Sequence, residues 1–452
     1  MTVLVDYTKP RGESITLGMA RLKSTSKGAA PQGTLLLNPG GPGGVATSII
    51  FEAAAIPLFS DDLRANYDIV GLDPRGIGSS TPLRCDPDIW NKRVSMFPTT
   101  ESEYQALVAY NTAVGNSCLK LTGNLFNHLS TLDVIEDMEM FRQAIHNENS
   151  KWSKLNFIGF SYGTLLGTQY AEKYPEHVGR FVLDGIVDHT LPETATLLGE
   201  AVTYESTLNQ FFLWCDTSSE CALRGQDVAG LFDTLIQNAT KSPIPAPGCP
   251  STGIGACYPV VSGEDVLQVV QGLLVGPNVT LAWPVLGEAL AEAAQGNATL
   301  LSVPKAISET FGVYPFVAVG CQDWFHKSNS LAEILGKTRM TAALAPHTKG
   351  STQSYWVQVS CIGWPAPTSN PQRPLEPKVQ KAPPMLLINA LHDPETSISW
   401  AVGLAALLPK SVLLTRIGSG HTSYAIGGEA MIVANKFLIT GDLPAPGSTV
   451  NS

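Results

Sequence analysis

The most informative segment of this chain reads KLNFIGFSYGTLLGTQYA over residues 154–171. The apolar run before the G-x-S-x-G at 159–163 predicts a short buried strand, and the run after it predicts a helix that ends near Tyr174. Such a pattern can arise by chance, but a sharp strand-to-helix turn would expose its serine hydroxyl at the carboxyl edge of a sheet. We therefore interpret Ser161 as a candidate nucleophile. The amide of Tyr162, at the helix start, is then a candidate oxyanion donor.

Strand and helix patterns alternate around this segment. Near-continuous apolar runs at residues 34–38, 67–73 and 180–184 suit central strands of a parallel sheet that is covered on both faces. An alternating run at 14–22 predicts a half-exposed strand, and residues 131–144 predict a helix. Strand patterns return at 385–390 and 411–417. The order predicts an α/β fold with right-handed crossovers.

The middle of the chain has a different pattern. Helices are predicted at 195–214, 228–236, 266–274 and 283–294, separated by loops rich in proline and glycine. We therefore expect three parts. Residues 1–190 are predicted to form the first part of the α/β core, 191–370 a mainly helical cap or lid inserted in it, and 371–452 the carboxyl-terminal part of the core.

Composition excludes several classes of function. The 452 residues carry a net charge of −10, and the pI is near 5.3, which argues against nucleic-acid and anionic membrane partners. No apolar run is long enough to span a bilayer. No C-x-x-C pair or phosphate-binding G-K-[S/T] ending occurs. The sequence thus predicts a soluble protein without a metal or cofactor, and it leaves the oligomeric state undetermined.

Cysteines and glycosylation motifs bear on the compartment. The eight cysteines are an even number, which favours disulfides over buried thiols in a cytosolic protein. Close spacing favours Cys215–Cys221 and Cys249–Cys257, which leaves Cys85–Cys118 and Cys321–Cys361. N-x-S/T motifs begin at Asn238, Asn278 and Asn297. We expect a secreted protein, and because no signal peptide is visible at Met1 we interpret the export segment as removed. The alternative is an intracellular protein.

A nucleophilic serine needs a base and an acid, which should follow it in the chain in the order acid, then histidine. His421 lies in a glycine-rich loop after the last predicted strand and is the expected base. Asp393 directly follows the strand at 385–390 and is the expected acid. Glu395, two residues further on, competes with it, as do Asp184 and Asp188 after an earlier strand.

The expected oxyanion loop is NPGGPGG at residues 38–44, after an early strand. Its glycines let backbone N–H groups turn towards a ligand without a Cβ clash. We assign the two donors to the amides of Gly41 and Tyr162. The run DPRGIGSS at 73–80 carries no evident chemistry, and Asp73 and Arg75 are expected to fix a loop.

Taken together, these motifs resemble the α/β-hydrolases of the proline iminopeptidase and tripeptidyl aminopeptidase group, including their TAP-like carboxyl-terminal region. The resemblance rests on NPGGPGG, DPRGIGSS, GFSYGT at 159–164, CQD at 321–323, CIGWP at 361–365, Asp393 and Gly420-His421, and on VDYTKP at 5–10 and GDLPAPG at 441–447. It implies secretion, a helical cap and serine hydrolysis of peptides from their free amino ends. Val45, Ser397 and Thr422 depart from the family pattern near the pocket.

The expected reaction is acyl transfer from a small peptide or another small acyl substrate to water, through an acyl-enzyme. The alternatives are an esterase, lactonase or amidase of small metabolites with the same residues, and a non-hydrolytic binding protein or cyclase. An aminopeptidase also needs carboxylates that hold the substrate ammonium. The sequence offers candidates without choosing among them: Glu200, Glu205, Glu264, Glu288, Glu292 and Asp323.

Overall fold

The computed structural model of the chain describes residues 1–28, 30–146, 153–276, 279–326 and 328–451. The strands are β1 Thr2–Leu4, β2 Ser14–Thr16, β3 Met19–Leu22, β4 Thr34–Asn38, β5 Asp68–Leu72, β6 Leu155–Phe160, β7 Val178–Asp184, β8 Ile244–Pro245, β9 Val260–Val261, β10 Leu386–His392, β11 Val412–Ser419 and β12 Thr449–Asn451.

The α-helices are α1 Ala46–Ala55, α2 Asp61–Asn66, α3 Pro87–Trp90, α4 Glu101–Thr122, α5 Thr131–His146, α6 Tyr162–Lys173, α7 Glu193–Thr217, α8 Val228–Lys241, α9 Gly263–Val275, α10 Val279–Ala294, α11 Tyr314–Asp323, α12 Leu331–Leu344, α13 Gln353–Ser360, α14 Ile398–Leu407 and α15 Gly428–Thr440.

Eight strands form one sheet in the order β12-β11-β10-β7-β6-β4-β5-β3, and all neighbours are parallel except β3 and β5. The three successive leucines of β4, Leu35 to Leu37, are all buried, as expected where helices cover both faces of a parallel sheet. Parallel strands end at the same edge. The loops after β4, β6, β10 and β11 therefore meet there, and these loops carry the predicted site residues.

The expectation of one strand at residues 14–22 is wrong. β2 pairs with β1 in a separate two-stranded sheet, whereas β3 pairs with β5 at the edge of the main sheet. The chain changes sheets at Gly18, which packs so tightly on Ser79 that a Cβ on Gly18 would lie 2.5 Å from the Ser79 Cβ. Alternating polarity is the same for one long strand and for two short ones, so the pattern could not reveal the break.

The mainly helical segment between β7 and β10 is present, and the four helices predicted in it correspond to α7 to α10. Each is longer than predicted. In α9 a capping box of Ser262 and Asp265 extends the start of the helix beyond its apolar pattern. A hydrophobic core of its own lies between Tyr204 and Leu301, whereas Ala306, Tyr314, Ala318 and Val319 pack into the main core.

The predicted disulfides are present as Cys85–Cys118, Cys215–Cys221, Cys249–Cys257 and Cys321–Cys361. Asn238 is exposed on α8 and Asn297 is half-buried in the turn after α10, whereas the expected sequon at Asn278 lies outside the described residues. Within the described part of the chain, no helix combines the length and the apolar character needed to cross a membrane.

Asp73 and Arg75 lie inside the core. Arg75 is 1% exposed, pairs with Asp137 at 2.8 Å, and donates to the carbonyl oxygens of Leu4 and Val5. Through these bonds Arg75 links the amino-terminal segment to Asp137 of α5. Removing either partner of the buried ion pair would leave an uncompensated charge.

Candidate functional site

Ser161 lies on the turn between β6 and α6 with φ 54° and ψ −123°, a conformation that non-glycine residues rarely adopt. Its N–H donates to the carbonyl oxygen of Asp184 at 2.9 Å, which fixes the turn to the neighbouring strand. The flanking glycines allow the strand and helix to approach closely, because a Cβ on Gly159 would lie 2.5 Å from the carbonyl oxygen of Gly163. The G-x-S-x-G therefore has the strained geometry that presents a serine side chain outward.

Asp393 and His421 form a buried pair beyond β10 and β11. The His421 Nδ1 lies 2.9 Å from each carboxylate oxygen of Asp393. The backbone N–H groups of Glu395 and Thr396 and the Thr396 hydroxyl also donate to this carboxylate. Burial opposes ionisation of Asp393, but the imidazole and these donors outweigh it and lower the pKa of Asp393. The carboxylate is therefore held ionised at one fixed side of the imidazole.

The other ring nitrogen of His421 faces a second carboxylate. The Oε2 atom of Glu395 lies 3.3 Å from Nε2. Burial by itself would lower the pKa of His421, but the charges of Asp393 and Glu395 raise it to about 9. Burial, with Asp393 nearby, raises the pKa of Glu395 to about 7 although the imidazole favours its ionised form. Asp393 and Glu395, which compete for one role in the sequence, thus lie at opposite nitrogens.

Asp184 takes a supporting position. Its Oδ2 accepts hydrogen bonds from the backbone N–H groups of Ser423 and Tyr424, each at 2.7 Å, just after His421 in the chain. The same residue accepts from the Ser161 amide through its carbonyl, so it connects the serine turn to the histidine loop. Burial raises the pKa of Asp184 to about 6. The other alternative acid, Asp188, accepts from Thr190 on its own loop.

The glycine loop after β4 reaches the serine turn. Gly40 and Gly41 have φ of 89° and 108°, in the region that favours glycine. A Cβ on Gly40 would lie 2.3 Å from the carbonyl oxygen of Phe160 and 2.9 Å from the Ser161 Cβ, so only glycine permits this approach. Gly41 and Tyr162 both line the same cavity as Ser161. The Tyr162 amide belongs to the first turn of α6, whose N–H groups lack partners within the helix.

This cavity, which we call the serine chamber, has a volume of about 90 Å³ and includes Ser161, Glu395 and Glu200 in its wall. Its apolar wall includes Val187, Phe316, Trp324, Val357 and Trp400. Glu200 is 1% exposed and accepts hydrogen bonds from the side chain of Gln271 and from the amides of Gln353 and Ser354. Among the described residues that line the chamber there is no lysine or arginine. The carboxylates of Glu200 and Glu395 therefore make the serine chamber suited to a cationic group.

The helical segment contacts both loops of the buried pair. The Thr203 hydroxyl of α7 donates to the carbonyl oxygen of Asp393 at 2.7 Å. The His421 amide donates to the carbonyl oxygen of Val275 at the end of α9 at 3.3 Å. The helices that enclose the chamber are thus attached directly to the loops that carry Asp393 and His421.

Of the six carboxylates considered for a substrate ammonium, Glu200 lines the serine chamber. The others have different surroundings: Glu205 accepts from the amides of His347 and Thr348, Asp323 from Thr131 and Asn370, Glu292 from Asn297 and Glu264 from Ser95 and Met96, while Glu288 is exposed. Sequence reasoning missed the position of Glu395 in the same wall. Its place two residues after the expected acid was the available signal.

A second, larger cavity of about 480 Å³ adjoins the first and shares Pro42, Phe316 and Gln353 with it. We call it the aromatic chamber, because its wall includes Trp90, Tyr110, Tyr258, Phe311, Trp356 and Trp364. Two cations and two carboxylates also line it: Lys92, Arg93, Glu264 and Asp265. Its size falls within the range typical of small-molecule sites.

Comparison with known proteins identifies the family of the chain. Residues 33–243 match the family model described as alpha/beta hydrolase fold, and residues 347–450 match the model described as TAP-like protein. The tripeptidyl aminopeptidase of Streptomyces coelicolor is 26% identical and covers 98% of this chain and 81% of its own length. The serine protease Hip1 of Mycobacterium tuberculosis is 27% identical, with 99% and 86% covered.

A third relative, the carboxylesterase B of Mycobacterium tuberculosis, is 28% identical and covers 98% of this chain and 84% of its own length. The two family models follow one another along the chain, the first over the serine turn and the second over the loops of Asp393 and His421. The protein is therefore an α/β-hydrolase with a TAP-like carboxyl-terminal region, a serine hydrolase of the peptidase-like kind.

Proposed function

We propose that this protein is a secreted serine exopeptidase that releases residues or short peptides from free amino ends through an acyl-enzyme. The observation that carries the proposal is the serine chamber, where Ser161 opens onto carboxylate side chains in a wall whose described residues include no lysine or arginine. Such a wall favours a substrate ammonium over a substrate carboxylate. Relatives named as an aminopeptidase and a serine protease support the same reaction class.

In this mechanism His421 takes the proton of Ser161, whose oxygen attacks the carbonyl carbon of the substrate. Asp393 holds the Nδ1 proton of His421 and stabilises the imidazolium that forms. The amides of Gly41 and Tyr162 bind the oxyanion. His421 then returns the proton to the leaving amine, and water attacks the acyl-enzyme by the same route in reverse.

We assign residues 191–370 as the cap that encloses the substrate. Its contacts through Thr203 and Val275 with the loops of Asp393 and His421 support this division. Secretion is supported by the four disulfides, since such bonds persist in oxidising compartments.

The test is a panel of anilides offered to the purified protein: one residue, two residues and three residues, each with a free and an acetylated amino end. We expect release of the chromophore from free amino ends and covalent labelling of Ser161 by a fluorophosphonate. Labelling without cleavage of any free-amine anilide would refute the exopeptidase. Absence of labelling would instead favour a non-hydrolytic binding protein or cyclase.

An esterase, lactonase or amidase is the second candidate. The relative named carboxylesterase B and the aromatic chamber favour it, because a large apolar wall suits the organic part of an ester. Acyl esters without an amino group distinguish the two candidates. Hydrolysis of such esters at least tenfold faster than of every free-amine anilide would favour the esterase.

A further inference from the structure

Within the described residues, Nε2 of His421 has no hydrogen-bond partner, although His421 is only 8% exposed. The Glu395 Oε2 atom approaches to 3.3 Å but without an aligned hydrogen bond. Nε2 is the nitrogen that a serine nucleophile needs for its proton, because Nδ1 is already held by Asp393. The Glu395 carboxylate therefore lies beside the position where the substrate must react.

The same chamber contains an unused acceptor. Gln358 is 3% exposed, and its Nε2 donates to the backbone carbonyl of Glu193 at 3.4 Å. Its Oε1 has no hydrogen-bond partner within the described residues. A buried acceptor without a partner costs free energy, so its retention in a cavity wall indicates a donor that arrives with a ligand. Together with Glu395, it gives the chamber acceptors for the several N–H donors of an ammonium group.

On this basis we propose that Glu395 binds the α-ammonium of the residue whose carbonyl Ser161 attacks, and that this ion pair draws the Glu395 carboxylate away from His421. The inference rests on the proposed exopeptidase function and narrows it. The substrate class is a peptide or amide with a free amino end that is cleaved after its first residue.

The distance between the reacting carbonyl and the substrate ammonium supports cleavage after one residue. An extended residue spans about 3.3–3.6 Å, so the ammonium of a tripeptidyl group would lie about 7 Å further from the reacting carbonyl. Glu395 is within 3.3 Å of the catalytic imidazole, next to the reacting centre. Its carboxylate therefore matches an ammonium on the first residue.

The charges around His421 and Glu395 explain why movement of the Glu395 carboxylate changes the basicity of His421. His421 faces Asp393 and Glu395, with Asp184 on the neighbouring strand, and these charges raise its pKa to about 9 against the opposing effect of burial. Glu395 faces His421, Asp393 and, from α7, Glu200, while Gln353 of α13 donates to its other oxygen. With both nitrogens beside carboxylates, the imidazole is held protonated near neutral pH. A bound ammonium removes one of the two charges from Nε2 and restores the base.

The experiment compares wild type with Glu395→Gln on three substrates: alanine anilide with a free amino end, its N-acetyl form, and a butyrate ester. Gln keeps the shape of the side chain but loses the charge. We expect kcat/KM on the free-amine anilide to fall about 10- to 100-fold. On the ester, which has no amine, loss of a negative charge lowers the pKa of His421, so the acid limb of the rate moves to lower pH and activity at neutral pH rises.

Glu288→Gln, an exposed change on α10, is the matched control and should leave all three rates unchanged. Fluorophosphonate labelling confirms that each variant is folded. Equal losses on all three substrates, or no loss on the free-amine anilide, would overturn the role of Glu395. A wild type that prefers alanyl-alanyl-alanine anilide over alanine anilide would overturn the single-residue substrate. If wild type hydrolyses the ester but no free-amine anilide, the exopeptidase itself is refuted and this inference with it.

Discussion

The carboxyl edge of the sheet and the walls supplied by the helical segment are built in opposite ways. At the edge, both carboxylate oxygens of Asp393 accept several hydrogen bonds. In the walls, polar atoms of Gln268, Trp356, Gln358 and Trp364 lack partners within the described residues. The internal bonds fix the position of Asp393, whereas the unpartnered atoms in the walls keep hydrogen-bonding capacity for a ligand. Changes at the edge should therefore abolish chemistry, and changes in the walls should alter substrate choice.

The largest effect is expected at Ser161, the proposed nucleophile. Ser161→Ala removes the attacking oxygen, so kcat should fall by about 10⁶-fold and fluorophosphonate labelling should disappear. A progress curve at high enzyme concentration measures the residual rate. Ser219→Ala, an exposed change in the loop after α7, is the control. Labelling that persists in Ser161→Ala would place the reactive serine elsewhere.

The next effect tests whether the two carboxylates beside His421 are interchangeable. Asp393→Asn should lower kcat about 10⁴-fold, because the imidazole loses the partner that fixes its tautomer. Glu395 cannot replace it, since it lies at the other nitrogen. Pre-steady-state measurement of acylation reports the loss. A variant that keeps more than a tenth of the wild-type rate would show that Glu395 can take over.

A smaller effect is expected in the glycine loop. Gly41→Ala should lower kcat about 10²- to 10³-fold, because an added Cβ would lie 2.6 Å from the Gly43 nitrogen and displace the loop amide from the oxyanion. Steady-state kinetics should show the loss mainly in kcat. Gly28→Ala is a matched control, since Gly28 also has a positive φ but has open space around its missing Cβ. Equal activity of the two variants would remove Gly41 from the oxyanion site.

The smallest effect concerns stability. The pKa of Asp184 is about 6 in the folded protein, above its ordinary value of 3.8, so the folded state binds the proton more tightly. This group therefore stabilises the fold fully below its unfolded pKa, and that contribution is lost as pH rises through about 6. Asp184→Asn should remove this pH-dependent loss of stability, which amounts to about 1–3 kcal/mol.

Chemical denaturation of wild type and Asp184→Asn at pH 4 and pH 7 measures this difference. From pH 4 to pH 7, the free energy of unfolding of Asp184→Asn should increase relative to that of wild type. Asp188→Asn, which changes the other alternative acid, is measured in the same way for comparison. A relative stability of Asp184→Asn that does not change with pH would contradict the assigned ionisation.

Much of the fold and part of the site could be predicted from local pattern. The strand before Ser161 and the helix after it occur where the G-x-S-x-G predicted them, because glycines and apolar runs act through neighbours in the chain. The break at Gly18 could not be predicted, since it depends on contact with Ser79 far along the chain. Glu395 was visible as a carboxylate beside Asp393, but its direction depends on how the loop turns around His421.

The sequence by itself determined the type of element, the order of the candidate residues and the chemistry those side chains can perform. It could do so because strand and helix patterns, glycine turns and spacing are properties of short segments. Only the tertiary structure decided which carboxylate meets which nitrogen of His421, and that Glu200 alone of the six proposed ammonium carboxylates reaches the serine chamber. Those relations arise from residues far apart in the chain, brought together by the burial of the sheet and the helices packed over it.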